Sequence, residues 1–235
     1  MPETPHIVSD VMTQTVVAVG RDAPFKEIVR TMEQWKVSAM PVLEGEGRVV
    51  GVVSEADLLP KEEFRDSDPS LTEQRRRLSD VAKAGASTAG DLMSTPAVTV
   101  YPGATLAQAA RIMAVRHVKR LPVVDDIGML QGIVSRADLL KVFLRPDEDI
   151  EEDVRRTVVS YLFPAFSHAI HVHEHVHVHV HVHVHEGVVT LRGHIRDTSL
   201  ISGAVRLVRA IEGVVDVEPH LTGESATLPG PGGVQ

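Results

Sequence analysis

The sequence predicts a mixed α/β (α+β) fold, in which two copies of a βαββα-type unit precede a small αββαβ unit. Residues 50–59 read VGVVSEADLL and residues 131–140 read QGIVSRADLL, so a strand that runs into a helix start occurs twice. The composition changes after Pro146, where an acidic run begins. Residues 171–185 then alternate His and Val, apart from Glu174, and a period of two is typical of a strand.

The repeat keeps a constant offset of 81 positions, which is the separation of Asp57 and Asp138. Residues 10–13 superpose on 91–94 without a gap, and residues 40–42 superpose on 121–123. A unit of about fifty residues is small for an independent core. We therefore expect the two units to pack together as one domain.

The first half of the first unit is predicted to be a short helical turn, a strand and a helix. We expect Asp10 to cap the amides that follow it, and we expect a strand at residues 16–19. Apolar residues at spacings of three, four and three then predict a helix that buries one face. That face carries Phe25, Ile28, Met32 and Trp35.

The second half of that unit is predicted to be a hairpin followed by a helix. Strands at residues 40–43 and 48–53 flank a turn at Gly45 and Gly47, and Ser54 opens the helix. The second unit repeats each step. Its expected elements are a strand at 98–100, a helix with Leu106, Ala109, Ile112 and Met113 inward, a strand at 121–124, a turn at Gly128, a strand ending at Val134, and a helix opened by Ser135.

Residues 60–90 connect the two units and are rich in charge. Arg75, Arg76 and Arg77 lie in a predicted helical stretch, where they would contact a phosphate or a partner, or form a solvated face; the solvated face is the more common case. Residues 82–90, AKAGASTAG, are predicted to be a flexible return to the second unit.

The C-terminal part is predicted to begin with a helix whose first turn, in residues 147–153, is acidic and complements the macrodipole. Glu186 and Gly187 form a two-residue hairpin loop, so His185 faces Val188 and the alternating Val side chains share the apolar face. The His-Val tract of residues 171–185 is longer than a strand of a small domain, so its early part is expected to project or fray. A helix at residues 199–211 and a strand at 214–217 follow, and residues 223–235 are expected to be a disordered tail.

The composition excludes several classes of protein. The chain has 235 residues and no Cys, which excludes disulfide frameworks, thiolate metal sites and a cysteine nucleophile. No apolar run approaches the ~20 residues that span a bilayer, and the first ten residues do not form a secretory signal, so we expect a cytoplasmic protein. Residues 1–146 carry 18 basic and 19 acidic side chains, and residues 147–235 carry 6 and 13, so nucleic-acid binding is not expected.

Both repeated units resemble CBS motifs, and the pair resembles the tandem CBS (Bateman) module. The similarity covers residues 8–146 and rests on D(V/L)M(T/S), on a strand that begins with Pro, and on GxVSxADLL. We predict motifs at about residues 8–60 and 89–146, with a linker at 61–88. Residues 149–222 resemble a BON domain through EGVVTLRGHI and VRLVRAIEGVVDV, although the His-Val tract departs from that family's pattern.

Ser54 with Asp57, and Ser135 with Asp138, have two interpretations. Each SxxD is a capping box, in which the Ser hydroxyl accepts from the third amide of the helix and the acid reaches back. The resemblance implies instead that adenosyl ligands bind in clefts between the motifs, where Asp accepts from the ribose hydroxyls and the Ser and helix-start amides hold phosphate. A cap does not explain the GxV that precedes both copies, which favours the nucleotide interpretation.

The resemblance extends the candidate site to the segments that would meet the adenine and to the residues before each strand. The full set is Ser135, Asp138, Lys119, Arg120, Pro122, Thr95, Ala97, Ser54, Asp57, Ser38, Met40, Thr15 and Val17. Lys119 and Arg120 can neutralise phosphate, whereas the aligned Ser38 and Ala39 cannot. If only one cleft binds, we expect it to be the one that uses Arg120, although exposed basic residues at strand edges are also common without a ligand.

The His-Val tract has a metal interpretation and a structural one. Seven imidazoles would project from one face at about 7 Å intervals, where neighbours could share Zn, Ni, Co or Cu. They are His173, His175, His177, His179, His181, His183 and His185. The structural interpretation is a low-complexity expansion that a strand tolerates, and we favour it, while expecting adventitious divalent metal binding.

Together these observations predict a non-enzymatic regulatory or sensor protein without catalytic residues. AMP, ADP, ATP, S-adenosylmethionine or NAD would bind the CBS pair, no cofactor would be required, and the BON-like domain would contact a protein partner or a membrane surface. A homodimer is expected from the resemblance. The alternative is a metal-buffering or metal-sensing protein that acts through the His-Val tract, and a scaffold without a ligand is a third interpretation. The acidity of residues 147–235 argues against anionic membranes.

Overall fold

The computed structural model describes residues 6–65, 77–162, 180–195 and 197–223. It divides into two compact units, His6–Leu139 and the described residues from Leu140 onward. Helices and strands are mixed in both units, which confirms the predicted fold class.

The first unit contains both copies of the repeat. Its helices are Val8–Val11 (α1), Phe25–Trp35 (α2), Glu55–Leu58 (α3), Pro60–Glu63 (α4), Leu78–Gly85 (α5, the linker helix), Ala89–Leu92 (α6), Leu106–Val115 (α7) and Arg136–Leu140 (α8). Its strands are Val19–Gly20 (β1), Ala39–Glu44 (β2), Arg48–Ser54 (β3), Arg120–Val124 (β4) and Leu130–Ser135 (β5). The predicted antiparallel hairpins are confirmed as β2–β3 and β4–β5, and both change register at the same aligned position.

A pseudo-twofold relation connects the two copies, because the bridges that join them in the described residues obey the 81-residue offset. Thr13 pairs with Ile133, and the aligned pair is Ser94 with Val52. Three further bridges join the copies in the same way: Ile7–Thr105, Pro24–Thr88 and Arg48–Met129, the last of which joins two aligned residues. Each copy therefore contributes the segment that precedes its first strand, which we call its lead-in (residues 7–13 and 88–94), to the other copy.

The buried core of the first unit contains residues of both copies. One cluster contains Ile28, Met40 and Val53 of the first copy together with Leu92 and Met93, which belong to the lead-in of the second. The apolar side chains of the two copies are therefore buried against each other in one cluster.

Three local predictions for this unit were wrong. Asp10 is the third residue of α1 and accepts from the backbone N–H of Ile7 at 2.9 Å, so it reaches back instead of capping the amides ahead of it. Trp35 is 58% exposed, since it is the last residue of α2 and periodicity does not show how far the core extends. The strand at residues 98–100 is reduced to one bridge between Val100 and Val123.

The C-terminal unit has the predicted αββαβ order. It contains helices Asp147–Leu162 (α9) and Ile201–Arg209 (α10), and strands Val180–His185 (β6), Val188–Ile195 (β7) and Asp216–Gly223 (β8). The hairpin register is confirmed, with His185 opposite Val188 and Val184 opposite Val189. The last strand begins at Asp216, two residues after the predicted start, and runs parallel to β7.

Asp147 joins the first turn of α9 to the hairpin loop of this unit. Its two carboxylate oxygens accept from the backbone N–H groups of Glu186 at 2.8 Å and Gly187 at 2.9 Å. The core beneath contains Ile150, Val154, Val184, Val189, Leu191, Ala204 and Val208. The early His-Val tract and the predicted tail after Gly223 lie outside the described residues, as do Arg75 and Arg76.

Candidate functional site

The SxxD sequence of the first motif forms a capping box at the start of α3. One carboxylate oxygen of Asp57, Oδ2, accepts from the backbone N–H of Ser54 at 2.8 Å and from its hydroxyl at 2.7 Å. Asp57 is 7% exposed. The capping interpretation therefore holds for this pair, and it uses half of the acceptor capacity of the carboxylate.

The other oxygen of Asp57 accepts from residues outside the motif. Lys83 of the linker helix donates its ammonium to Oδ1, and the hydroxyl of Ser94 lies 3.4 Å from the same atom. Both side chains of the ion pair are largely enclosed. We call the group formed by Ser54, Asp57 and Ser94 the first cleft.

The SxxD of the second motif has the same local geometry. Asp138 Oδ2 accepts from the backbone N–H of Ser135 at 2.9 Å and from its hydroxyl at 2.7 Å. Asp138 is half-buried, whereas Asp57 is buried. We call the group formed by Ser135, Asp138 and Thr13 the second cleft; Thr13 is the bridge partner of Ile133, which lies on the same strand as Ser135.

Arg120 connects the two motifs. Its backbone lies opposite Ser135 in the β4–β5 hairpin, but its guanidinium donates to Ser38 Oγ at 2.8 Å and to the Ala39 carbonyl at 3.2 Å in the first motif. Lys119 is exposed. The expectation that positive charge belongs to one cleft alone was wrong, because Lys83 brings an ammonium to the first cleft from outside both motifs.

Arg120 also lines a cavity of about 520 Å³ with Ser38, Glu55 and Leu58. Its rim includes Lys36, which donates to Glu33 and lowers the pKa of that carboxyl below its ordinary value, first through the hydrogen bond and then through its charge. The volume lies in the usual range for small-molecule sites. This cavity belongs to the first motif and places one guanidinium beside apolar walls.

The glycines of GxV have a structural explanation that sequence reasoning missed. A Cβ atom on Gly51 would lie 2.8 Å from Cγ of Met93, and one on Gly132 would lie 2.6 Å from Sδ of Met12. Because Met12 and Met93 are aligned, each Gly accommodates the Met of the other copy's lead-in. The GxV pattern therefore does not by itself favour a nucleotide site, contrary to the sequence argument.

The helix-start argument for phosphate is also weaker than expected. Helix α3 has four residues and α8 has five, so their macrodipoles are small. In both motifs the Ser–Asp capping contacts already occupy the helix start. Phosphate binding would therefore depend on side-chain cations.

The other candidate residues are distributed along both motifs. Met40 and Pro122 are buried in strands, Thr15 is exposed, and Val17 is half-buried against the first-motif core. Thr95 donates to the Val50 carbonyl at 2.9 Å, and Ala97 lines a separate shallow cavity of about 450 Å³.

Lys83 was missed by sequence reasoning, since residues 82–90 were predicted to be a flexible return. That prediction was wrong for residues 82–85, because they belong to the linker helix, which ends at Gly85. Lys83 is the one charged residue among the small residues of 82–90, and this isolated charge is the signal that could have identified it.

The metal candidates are only partly described. His181, His183 and His185 are exposed on one face of β6, and His173, His175, His177 and His179 lie outside the described residues. Within the described ranges, no three His, Asp or Glu side chains are grouped as metal ligands. None of the described helices is long and apolar enough to span a bilayer.

Family models match both parts of the chain. The CBS domain model matches residues 8–61 and 89–145, and the BON domain model matches residues 146–224. The protein therefore belongs to the tandem CBS domain proteins and carries a C-terminal BON domain, which confirms the resemblance.

Curated relatives match a little over half of the chain. Uncharacterized protein MJ1426 of Methanocaldococcus jannaschii is 29% identical over 154 residues, which cover 59% of this chain and 91% of that protein. CBS domain-containing protein CBSX2, chloroplastic, of Arabidopsis thaliana is 28% identical over 159 residues, or 62% of this chain and 67% of that protein. Inosine-5'-monophosphate dehydrogenase of Nitrosopumilus maritimus matches over 22% of its length, in the CBS part alone, at 26% identity.

A solved structure agrees with these matches. The crystal structure of CBSX2 in complex with AMP is 30% identical in sequence and has a TM-score of 0.52. The aligned region covers 59% of this chain and 97% of that one.

Proposed function

We propose that the protein is a non-enzymatic regulator that binds an adenine nucleotide of the AMP class in the second cleft of its CBS pair. The observation that carries the proposal is the difference in exposure between the two aspartates: Asp57 is buried, whereas Asp138, which keeps the same capping contacts with Ser135, is half-buried. The AMP complex of CBSX2 supports the class of ligand. Relatives that are enzymes match only through their CBS part, which supports a regulatory role.

The chemistry of the second cleft suits a ribose phosphate. A carboxylate accepts hydrogen bonds from vicinal hydroxyls, and the proposed acceptor is Asp138. The backbone of Arg120 lies opposite Ser135, and its guanidinium, which donates to Ser38 and to the Ala39 carbonyl in the first motif, would have to reorient to contact a phosphate in this cleft. Lys119 adds a second cation at the same strand end. ADP, ATP, S-adenosylmethionine and NAD share the adenosyl group and are further candidates.

We also propose how binding is passed on. Nucleotide in the cleft would contact both motifs and bias their relative orientation. The BON domain would then change its contact with a protein partner or a membrane surface, and the protein would act as a homodimer.

Titration calorimetry on the full chain tests the nucleotide proposal, with AMP as the first ligand and ADP, ATP, S-adenosylmethionine, NAD and Zn²⁺ in the same panel. We expect AMP binding that Asp138→Ala abolishes. The matched control is Asp91→Ala. It removes the carboxylate that accepts from the Thr88 hydroxyl at 2.8 Å at the start of α6, where Thr and Asp have the same spacing as Ser135 and Asp138.

Unchanged AMP affinity in Asp138→Ala would place the ligand elsewhere. A response to Zn²⁺ alone, lost when the His-Val tract is replaced by Thr-Val, would favour the metal-sensing alternative instead. If no member of the panel binds, the third interpretation, a scaffold without a ligand, would be favoured.

A further inference from the structure

Lys83 completes the hydrogen bonding of Asp57. A carboxylate offers about four acceptor positions. The backbone N–H and hydroxyl of Ser54 use Oδ2, and the ammonium of Lys83 and the hydroxyl of Ser94 use Oδ1. A ribose diol that approached Asp57 would therefore have to displace one of these donors.

The linker helix is held against the first motif by several contacts besides Lys83. Lys61 of α4 donates to the Ala84 carbonyl at 2.9 Å. Arg77 donates to Glu63 and to Asp80, and its guanidinium lies 5.1 Å from the centre of the Phe64 ring. These contacts fix the helix that carries Lys83, so its ammonium is presented to Asp57 in one position.

A donor held in this way competes strongly with a free ligand. An intramolecular group acts at an effective concentration on the order of millimolar or above, without losing translational freedom. The pair is also shielded from water, with side-chain exposures of 20% for Lys83 and 9% for Asp57, which strengthens the ionic contact. A nucleotide at cellular concentration would have to break this contact and leave the ammonium without its partner.

We propose that Lys83 is a tethered occupant of the first cleft that prevents nucleotide binding at Asp57 and so limits the CBS pair to one nucleotide per chain. The residue aligned with Lys83 through the 81-residue offset is Pro2, so the repeated sequence contains this lysine only once. The inference rests on the proposed function and adds to it the residue that decides which cleft is used.

The test counts AMP molecules per chain by calorimetry. We expect a stoichiometry of one for the natural chain and two for Lys83→Met, which keeps the aliphatic stem and removes the ammonium. Lys83→Arg, which keeps a cation, should bind one. The double variant Lys83→Met with Asp57→Asn, which also lacks the carboxylate of the first cleft, should return to one.

Lys61→Met is the control for loosening the linker helix, because it removes a contact to the helix and leaves the Asp57–Lys83 pair in place; it should bind one. If Lys83→Met does not fold by circular dichroism, Lys83→Gln serves, since its amide still donates to Asp57 and we expect a second, weaker AMP site.

The outcomes separate the two proposals. A natural chain that binds two AMP, or a folded Lys83 variant that still binds one, overturns the role of Lys83 and leaves nucleotide binding intact. A natural chain and variants that all fail to bind AMP overturn the proposed function. No binding in the natural chain with one site in Lys83→Met supports the role of Lys83 and overturns the assignment to the second cleft.

Discussion

The two clefts of the CBS pair share a sequence motif and a capping geometry, but their aspartates have different surroundings. Asp57 is enclosed and bonded to a cation from the linker, whereas Asp138 is half-buried at the start of α8. The difference arises from the segment between the copies, which the repeat does not include. Duplication therefore reproduces a fold twice, and a single inserted helix is enough to make the two sites unequal.

Removing each aspartate in turn should produce the largest contrast. Asp57→Ala leaves the largely enclosed ammonium of Lys83 without its partner, and we expect a loss of ~3–5 kcal/mol in the free energy of unfolding. Asp138→Ala removes a half-buried carboxylate and should cost less, about 1–3 kcal/mol. Urea unfolding measures both. Equal losses would mean that the Lys83 contact adds nothing to the first cleft.

Substitution of the two GxV glycines by alanine should lower stability by different amounts, because different atoms surround them. A Cβ on Gly132 meets the Thr13 carbonyl at 3.0 Å as well as Met12, whereas one on Gly51 meets only the Met93 side chain. We expect Gly132→Ala to lower stability by about 1–3 kcal/mol and Gly51→Ala by less, since a Met side chain can move and backbone cannot. Thermal unfolding of both variants decides; a larger loss in Gly51→Ala would contradict the packing argument.

Arg120 should matter for stability and for binding together. Arg120→Met removes two hydrogen bonds that cross from the second motif to the first, at 2.8 and 3.2 Å, and we expect a loss of about 1–2 kcal/mol with weaker AMP binding. Arg136→Met is the matched control, because Arg136 is also basic and donates to a backbone carbonyl, that of Val118, within its own motif. AMP affinity that falls equally in both variants would show a general charge effect.

The smallest expected effect is on the acid stability of the linker helix. Arg77 lowers the pKa of Glu63 below its ordinary value of 4.5, mainly through a hydrogen bond. A carboxyl whose pKa is lower in the folded protein stabilises it above the unfolded pKa, and this contribution is lost as the pH falls through the lowered value. Glu63→Gln should therefore flatten the decline in stability below pH 4.5, and an unchanged profile in chemical unfolding would exclude the contact as a contributor.

Local patterns in the sequence correctly predicted the local geometry. The position of Glu186 and Gly187 set the pairing of His185 with Val188, because a two-residue loop and a period of two leave one register. Periodicity likewise identified Ile28 and Met32 as core residues, but it did not show that Trp35 lies where the core has ended.

The residues of the candidate site were identified by motif, yet their partners were not. The SxxD pairs form the expected caps because those contacts span three residues. Arg120 was expected to serve its own motif, and its guanidinium instead contacts Ser38 in the other. A side chain that crosses between motifs has no signature in the sequence around it.

The amino-acid sequence by itself determined the duplicated fold, the aligned offset, the caps and the C-terminal hairpin, since each depends on spacing along a short stretch of chain. Tertiary structure alone decided that Lys83 contacts Asp57 and that Met93 packs over Gly51. These pairs lie 26 and 42 positions apart in the chain, and their proximity results from how the linker helix and the lead-in of the second copy pack against the first motif.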